Sequence, residues 1–234
     1  MKMKLTNLNG YSFYVRDASF DLSVAKPILT SDEYVLDEIK KAGHTIKNVV
    51  DLGGHIGIFS LKARSLWPKA NIYIVEPAKD NYLVLRKNLT IGKNYFFNKA
   101  IVGDTKITEV LLCERSTEHA EASRYVFENL EAIDEPNQPE KSYIVKTLSV
   151  LNLFKKIKGD IDILKVDCEG SEGVVFKALK DNNLLRRVKW IRGEWHGYKN
   201  LQILNEVLPL NHIHVCEEME EGIGFFIAHR KDLS

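Results

Sequence analysis

Val49-Val50-Asp51-Leu52-Gly53-Gly54-His55-Ile56-Gly57 runs from a short β-branched stretch through a glycine turn into helix-forming sequence. Glycines let a backbone turn tightly and come close to a ligand. Asn48 to Asp51 reads as a strand, and Ile58 to Trp67 as a helix stopped by Pro68. The alternation continues outward with strand Asn71 to Val75, helix Lys79 to Thr90 and strand Tyr95 to Val102. Farther on come strands Thr108 to Cys113 and Tyr143 to Lys146, then a short helix Ser149 to Phe154. Strand Ile161 to Val166, helix Glu172 to Lys180, strand Val188 to Gly193 and helix Tyr198 to Val207 follow. Two closing strands, His212 to Glu217 and Gly222 to Ala228, end the pattern. This alternation predicts an α/β fold: a mostly parallel sheet with helices on both faces and an antiparallel C-terminal strand. Ligands in such sheets sit at the carboxyl ends of the strands.

Before that core, Lys4 to Leu8, an Asn9-Gly10 turn and Tyr11 to Val15 read as a β-hairpin. Ser31-Asp32-Glu33 caps a helix that runs to about Lys41 and ends at Gly43. Ser31 to Tyr34 could instead close over a ligand, but the capped surface helix is the stronger reading. The expected organisation is an N-terminal hairpin-and-helix extension, 1–46, packed on a core domain, 47–234. Glu114 to Ser142 is polar, acid-rich and carries Pro136 and Pro139, so it reads as a lid or a mobile insertion. The chain has 234 residues, 33 Lys+Arg against 32 Asp+Glu, and a net charge of +1, which disfavours nucleic acid or an anionic membrane as partner. No apolar run is long enough to cross a bilayer, and Met1-Lys2-Met3-Lys4-Leu5 is not followed by a signal-peptide core. Three cysteines, Cys113, Cys168 and Cys216, fit a reducing compartment, so a cytoplasmic location is expected.

The glycine turn lacks the third glycine of a dinucleotide fingerprint, because His55 stands there. It also carries an acid, Asp51, at the strand end, which would repel a pyrophosphate and attract an ammonium. A second acid, Glu76, ends Ile72-Tyr73-Ile74-Val75 and can accept both hydroxyls of a ribose. Adenosine with a cationic amino-acid tail describes S-adenosylmethionine (SAM). Asp51 to Gly57 is similar to the first motif of class I SAM-dependent methyltransferases. More narrowly, the chain resembles the FkbM family in Val50 to Ser60, Val75-Glu76-Pro77, Ala100-Ile101-Val102-Gly103-Asp104, Leu164 to Glu172 and Glu194-Trp195-His196. The likeness spans Asn48 to His196, with Lys165 to Glu172 its most specific piece. It implies a Rossmann-like fold in which Asp51 and Gly53 face the methionine moiety, with Gly54, His55 and Gly57 completing the cofactor-binding turn. Glu76 would then face the ribose, and Asn98 to Ala100 the adenine. The family often carries Asn where this chain has His55, which leaves the backbone turn as that position's contribution.

Ile163-Leu164-Lys165-Val166-Asp167-Cys168-Glu169-Gly170 leaves the end of a buried strand, with Lys165 and Asp167 on one face. A buried Lys needs a partner, and Asp167 or Glu169 can supply it. If the strand ending Glu194-Trp195-His196 is a sheet neighbour, Asp167, Glu169, Glu194 and His196 meet at one rim. Three readings stay open there. His196 takes a proton from a substrate hydroxyl; or Asp167, Glu194 and His196 hold a hard cation such as Mg²⁺; or the acids only orient loops and SAM. The expected catalytic set is His196, Asp167, Glu194 and Lys165, with Asp167 also touching cofactor and no metal ligand assigned. Cys168 reads as packing, and so do Trp195 and Tyr198, although the two aromatics could stack on an acceptor. The resemblance points to O-methylation of a sugar, glycan or small natural product. A SAM-binding module without activity, or a NAD-type oxidoreductase, are the alternatives.

Overall fold

The computed structural model describes residues 1–17, 19–103, 105–117, 120–126 and 141–233. The glycine turn sits between strand β3 (Asn48–Leu52) and helix α3 (Ile58–Leu66). All five residues of β3 are buried, as expected of a central strand covered on both faces. β4 (Asn71–Val75), α4 (Lys79–Asn88) and β5 (Lys93–Phe97) continue on one side of it. β10 (Ile161–Val166), α6 (Glu172–Asp181), β11 (Val188–His196) and α7 (Tyr198–Val207) continue on the other. β12 (His212–Glu220) and β13 (Ile223–Arg230) close the chain. The strand order is β12-β13-β11-β10-β3-β4-β5, with β13 antiparallel between β11 and β12. The sheet is the mostly parallel one read from the sequence.

From β3 the chain steps outward to β4 and β5, and later returns to lay β10 on the other flank of β3. The order reverses between β3 and β10, and the crevice beyond such a reversal is the natural ligand site of an open α/β sheet. Two apolar cores cover the faces. One joins β10 and β11 to α6 and α7 through Phe176, Leu179, Trp195 and Leu204. The other joins β3 and β4 to α3 and α4 through Ile56, Phe59, Val84 and Leu85.

The hairpin β1 (Met3–Leu8) and β2 (Tyr11–Arg16) forms with Leu8 opposite Tyr11, and Asn9 and Gly10 take φ of 50° and 83°. Phe13 and Val15 insert into the second core. Asn88 on α4 accepts from the Tyr14 amide at 2.7 Å and donates back to the Tyr14 carbonyl at 3.1 Å. Three expectations need correction. The helix expected from Ser31 starts five residues later as α2 (Leu36–Lys41), because Asp32, with φ 52°, caps the Leu36 and Asp37 amides with its carboxylate. Ahead of it lie α1 (Asp21–Lys26) and a wide turn, Pro27–Ser31. The strand expected over Tyr95 to Val102 is two strands in different sheets. Asn98 donates to the carbonyls of Glu76 and Pro77 at 2.9 Å each and turns the chain into β6 (Ala100–Val102).

β6 joins a second sheet with β7 (Glu109–Thr117), β8 (Ala120–Val126) and β9 (Lys141–Ser149), in the order β6-β9-β7-β8. Part of the segment expected to be irregular, 114–142, is therefore strand. Its polar sequence lacks the apolar alternation that marks a half-buried strand. The rest, 118–119 and 127–140, lies outside the described residues, and so does the lid-or-mobile expectation there. α5 (Val150–Lys156) follows, with the Ser149 hydroxyl accepting from the Leu151 amide as its cap. Among the described residues no helix is long and apolar enough to cross a membrane.

Candidate active site

The turn after β3 is built by packing inside the protein. Gly53 has φ 81°, and a Cβ there would fall 1.7 Å from the Asp167 carbonyl oxygen of the neighbouring strand. A Cβ on Gly54 would meet Ile74 at 2.4 Å. Gly57, at φ 89°, starts α3 in a left-handed conformation that favours glycine. The glycines thus bring the ends of β3 and β10 together.

The meeting point is charged. Lys165 on β10 stands in register with Asp51 on β3. Its Nζ lies 3.0 Å from Asp167 Oδ2 and 3.7 Å from Asp51 Oδ1, and it donates to the Gly53 carbonyl at 2.5 Å. Burial alone would lower the ammonium's pKa, but Asp167 and Asp51 outweigh it and hold it above the ordinary lysine range. Asp51 is fully buried, its Oδ2 accepts from the Ser60 hydroxyl at 2.6 Å, and its Oδ1 has no hydrogen-bond partner. Burial pushes the Asp51 carboxyl up against the pull of Lys165 and Ser60. Asp167 is raised by burial, but Lys165 and then His196 bring it below the usual range. Glu169 is not the partner of Lys165.

Glu76 ends β4 almost fully buried. Its Oε2 accepts from the His55 amide at 2.8 Å, and its Oε1 from the Ala78 amide at 2.9 Å and from Asn81 at 3.2 Å. Burial pushes its carboxyl up to about 7 in spite of those donors. His55 has φ 46°, and burial takes its ring down to about 4, with Asp21 opposing.

β10 and β11 are parallel neighbours, so the second constellation does gather. Ligand atoms of Asp167, Glu169 and His196 lie within 4.8 Å of one another, a spacing a divalent cation can bridge. Glu194, grouped with Asp167 and His196 in the metal reading, is not part of that cluster. His196 Nδ1 faces Glu172 Oε1 at 3.2 Å and Nε2 faces Glu169 Oε2 at 3.5 Å. Glu172 is fully buried and also accepts from the Cys168 and Gly170 amides. Burial would lower the His196 pKa, but Glu172, Glu169 and Asp167 raise it to about 10. The imidazolium itself neutralises the acids around it. Glu194 is pushed up to about 8 by burial and then by Asp167, against His196, Lys165 and Tyr34.

Two adjoining cavities of about 150 and 280 Å³ open over these strand ends and share Gly53, His55, Asp167 and Glu194. Glu76, Cys168 and Glu169 line the smaller; Gly54 and Lys165 line the larger. Asp51, Gly57 and His196 stand behind that lining. Ala100 is fully buried on β6 and lines neither cavity. Cys168 and Trp195 are core residues, whereas Tyr198 is exposed and donates to Glu218.

A family model for the methyltransferase FkbM domain matches residues 51–221, most of the chain. The chain belongs to the FkbM methyltransferase family. Its fold is similar to a SAM-dependent methyltransferase from Agrobacterium tumefaciens at 11% identity and TM-score 0.57, over 98% of this chain and 70% of that one. It is also similar to a 16S rRNA N2 G1207 methyltransferase from T. thermophilus, solved with AdoMet and guanosine. That match has 13% identity and TM-score 0.51, over 98% of this chain and 50% of the other. At these identities the likeness is one of fold. No curated protein matches the chain by sequence.

This FkbM-family methyltransferase has a cavity roof that the sequence raised only at Ser31 to Tyr34, as the weaker of two readings. Arg16, Phe20, Asp21 and Val24 cover the smaller cavity, and Glu33 and Tyr34 wall the larger. Arg16 Nη2 pairs with the buried Asp21 at 2.6 Å, and Asp21 Oδ1 lies 3.8 Å from His55 Nε2. Tyr34 is 3% exposed and with Glu33 lines the larger cavity, so the end of Ser31 to Tyr34 is pocket wall and the stretch is not a capped surface helix. The one available signal was Tyr34 itself, a large aromatic between acids in a stretch read as surface.

Proposed function

We propose that this methyltransferase transfers the methyl group of SAM to a hydroxyl of a sugar, glycan or small natural product. The observation that carries the reading is the paired cavity at the β3/β10 reversal, rimmed by Glu76, Asp167, Glu169 and Glu194 around Lys165. SAM supplies a methyl already activated on a sulfonium cation. A carboxylate-rich rim suits that cation and its ammonium.

In this reading Asp51 and Gly53, with Gly54, His55 and Gly57 shaping the turn, receive the methionine end. Asp51 stands behind the lining and acts on that end through Lys165 and the Gly53 turn that Lys165 ties down. Glu76 takes the ribose through Oε2, which accepts only the His55 amide and keeps a lone pair for a hydroxyl, whereas Oε1 already accepts two donors. Ala100 stands near the adenine by resemblance alone. Asp167, Glu194, His196 and Lys165 form the reacting face. His196, protonated near neutral pH, cannot accept a proton until SAM's positive charge lowers its pKa. Glu194, at about 8, sits near the range where a carboxylate acts as a general base. Lys165 holds Asp51 and Asp167 in place. The reading assigns no metal ligand, and Lys165 and His196 supply the positive charge among these acids. A cytoplasmic location belongs to the same reading, supported by the free, buried Cys168.

The test is transfer of labelled methyl from SAM to a panel of sugars, glycans and hydroxylated natural products, with structured RNA alongside and chelator in half the reactions. Labelled hydroxyl acceptors, insensitive to chelator, are expected. Labelled RNA would overturn the acceptor class, and chelator-abolished transfer would bring the metal reading forward. SAM binding without any transfer would favour a binding module.

A further inference from the structure

Tyr34 lies outside the span matched by the family model, yet it lines the larger cavity. Its hydroxyl donates to Glu194 Oε1 at 2.9 Å and lies 3.4 Å from Asp167 Oδ2. Its ring is held edge-on by Phe59 at 5.3 Å and Phe225 at 5.9 Å, with Lys165 Nζ 5.7 Å from the ring centre. Its carbonyl accepts from Arg192 Nε at 3.0 Å. Asp32 and Val35 on either side take left-handed φ of 52° and 54°, a conformation that a β-branched residue rarely adopts. Backbone of that kind persists where the surroundings over-determine it. Packing, a backbone hydrogen bond and two unusual turns therefore converge on one hydroxyl position.

We propose that Tyr34 is a positioning residue of the methyl-transfer site, its hydroxyl fixing Glu194 Oε1 so that Oε2 is presented to the acceptor. Among the described residues no hydrogen bond reaches Oε2. The proposal rests on the reading of Glu194 as part of the reacting face. The proton balance is simple. As the acceptor oxygen bonds to the methyl carbon and the carbon–sulfur bond breaks, the acceptor's proton passes to Glu194 Oε2 and from there to water. Buried between Asp167 and the edge of β11, Glu194 would otherwise be free to rotate or to share a proton with Asp167. The charged and titratable groups facing it are Asp167 and Lys165 on β10, His196 on β11, and Glu33 and Tyr34 on the N-terminal segment.

The experiment compares binding of SAM and S-adenosylhomocysteine across pH by calorimetry. SAM carries a positive sulfur and S-adenosylhomocysteine a neutral one, so their affinity ratio reports the charge beside the sulfur. In the wild type the ratio should rise with pH around a midpoint near 8, as Glu194 ionises. Tyr34→Phe keeps the ring and the fold but removes a donor that favours the carboxylate. Its midpoint should move up by about one pH unit, with S-adenosylhomocysteine affinity unchanged. Glu194→Gln should flatten the rise. A Tyr34→Phe midpoint equal to wild type would overturn the role of Tyr34. A wild-type rise that survives in Glu194→Gln would overturn the assignment of Glu194, and no SAM binding by wild type the functional reading beneath both. Thermal melting of each variant separates these results from misfolding.

Discussion

Replacing Lys165 by Met would strip the ammonium from the junction of β3 and β10 while keeping most of the stem's volume. Lys165 is 3% exposed and its two carboxylate partners stand at 3.0 and 3.7 Å, Asp51 closed off from solvent and Asp167 on the cavity wall. The variant leaves the buried Asp51 carboxylate and the half-buried Asp167 carboxylate facing each other and deprives the Gly53 carbonyl of its donor. Breaking a buried ion pair by removing one partner costs about 3–5 kcal/mol. For a domain of this size that corresponds to about 6–20 °C in Tm. The loss should depend on pH, and its sign follows from the carboxyls. Without Lys165, Asp51 and Asp167 rise above their unfolded value of about 4, so the native state binds more protons than the unfolded state. Stability then falls as pH climbs from about 4 through the raised values. Urea unfolding of both proteins at pH 5 and pH 8, followed by tryptophan fluorescence, reads the difference. The gap should be wider at pH 8. A deficit below about 1 kcal/mol at pH 8, or one equal at the two pH values, would refute the reasoning.

Glu76→Ala should weaken SAM binding about 10- to 100-fold, the worth of hydrogen bonds to a charged acceptor, with calorimetry as the assay. Unchanged affinity would detach Glu76 from the cofactor. His196→Gln should cost about 3 kcal/mol at pH 6, where the imidazolium is paired with buried Glu172. Because the folded pKa is raised to about 10, that contribution is complete below the unfolded value of about 6.5 and is lost as pH rises through 10. Melting curves at pH 6 and 10.5 should show the gap narrowing, and a constant gap would contradict the clamp.

Much of the core was legible because its signals are local. A buried parallel strand such as Asn48–Leu52 reads as a continuous apolar run, and the glycine turn follows it directly. The acids Asp51, Glu76, Asp167 and Glu194 each end a strand, so strand assignment alone put them near one rim. The partner of Lys165 was half legible. Alternation suggested Asp167, but Asp51 depends on which strand neighbours β10, and register across 114 positions of chain has no local signature. Asp32 was harder, because its carboxylate caps amides four and five residues on and leaves Ser31 in a preceding turn. Asp21 was missed, and Tyr34 stood only within a stretch that could close over a ligand, because their roles exist only once the N-terminal segment folds back over β10 and β11. Thr108 to Cys113 was legible as strand and opens β7, but the strand residues after it, to 126, lack apolar alternation, so pairing, not periodicity, defines them. The protonation of His196 was illegible as well, since it depends on Glu172, which the sequence showed only as the start of a helix.

The central claim, that the cavity over the β3 and β10 strand ends is a SAM pocket built on Asp51, is tested most directly by calorimetry on the wild-type chain and Asp51→Ala. SAM, S-adenosylhomocysteine and NAD are the three ligands. Micromolar binding of the first two by wild type, none of NAD, and loss of SAM binding in a folded Asp51→Ala are the predicted results. Binding of NAD, or wild-type SAM affinity in Asp51→Ala, would contradict the account.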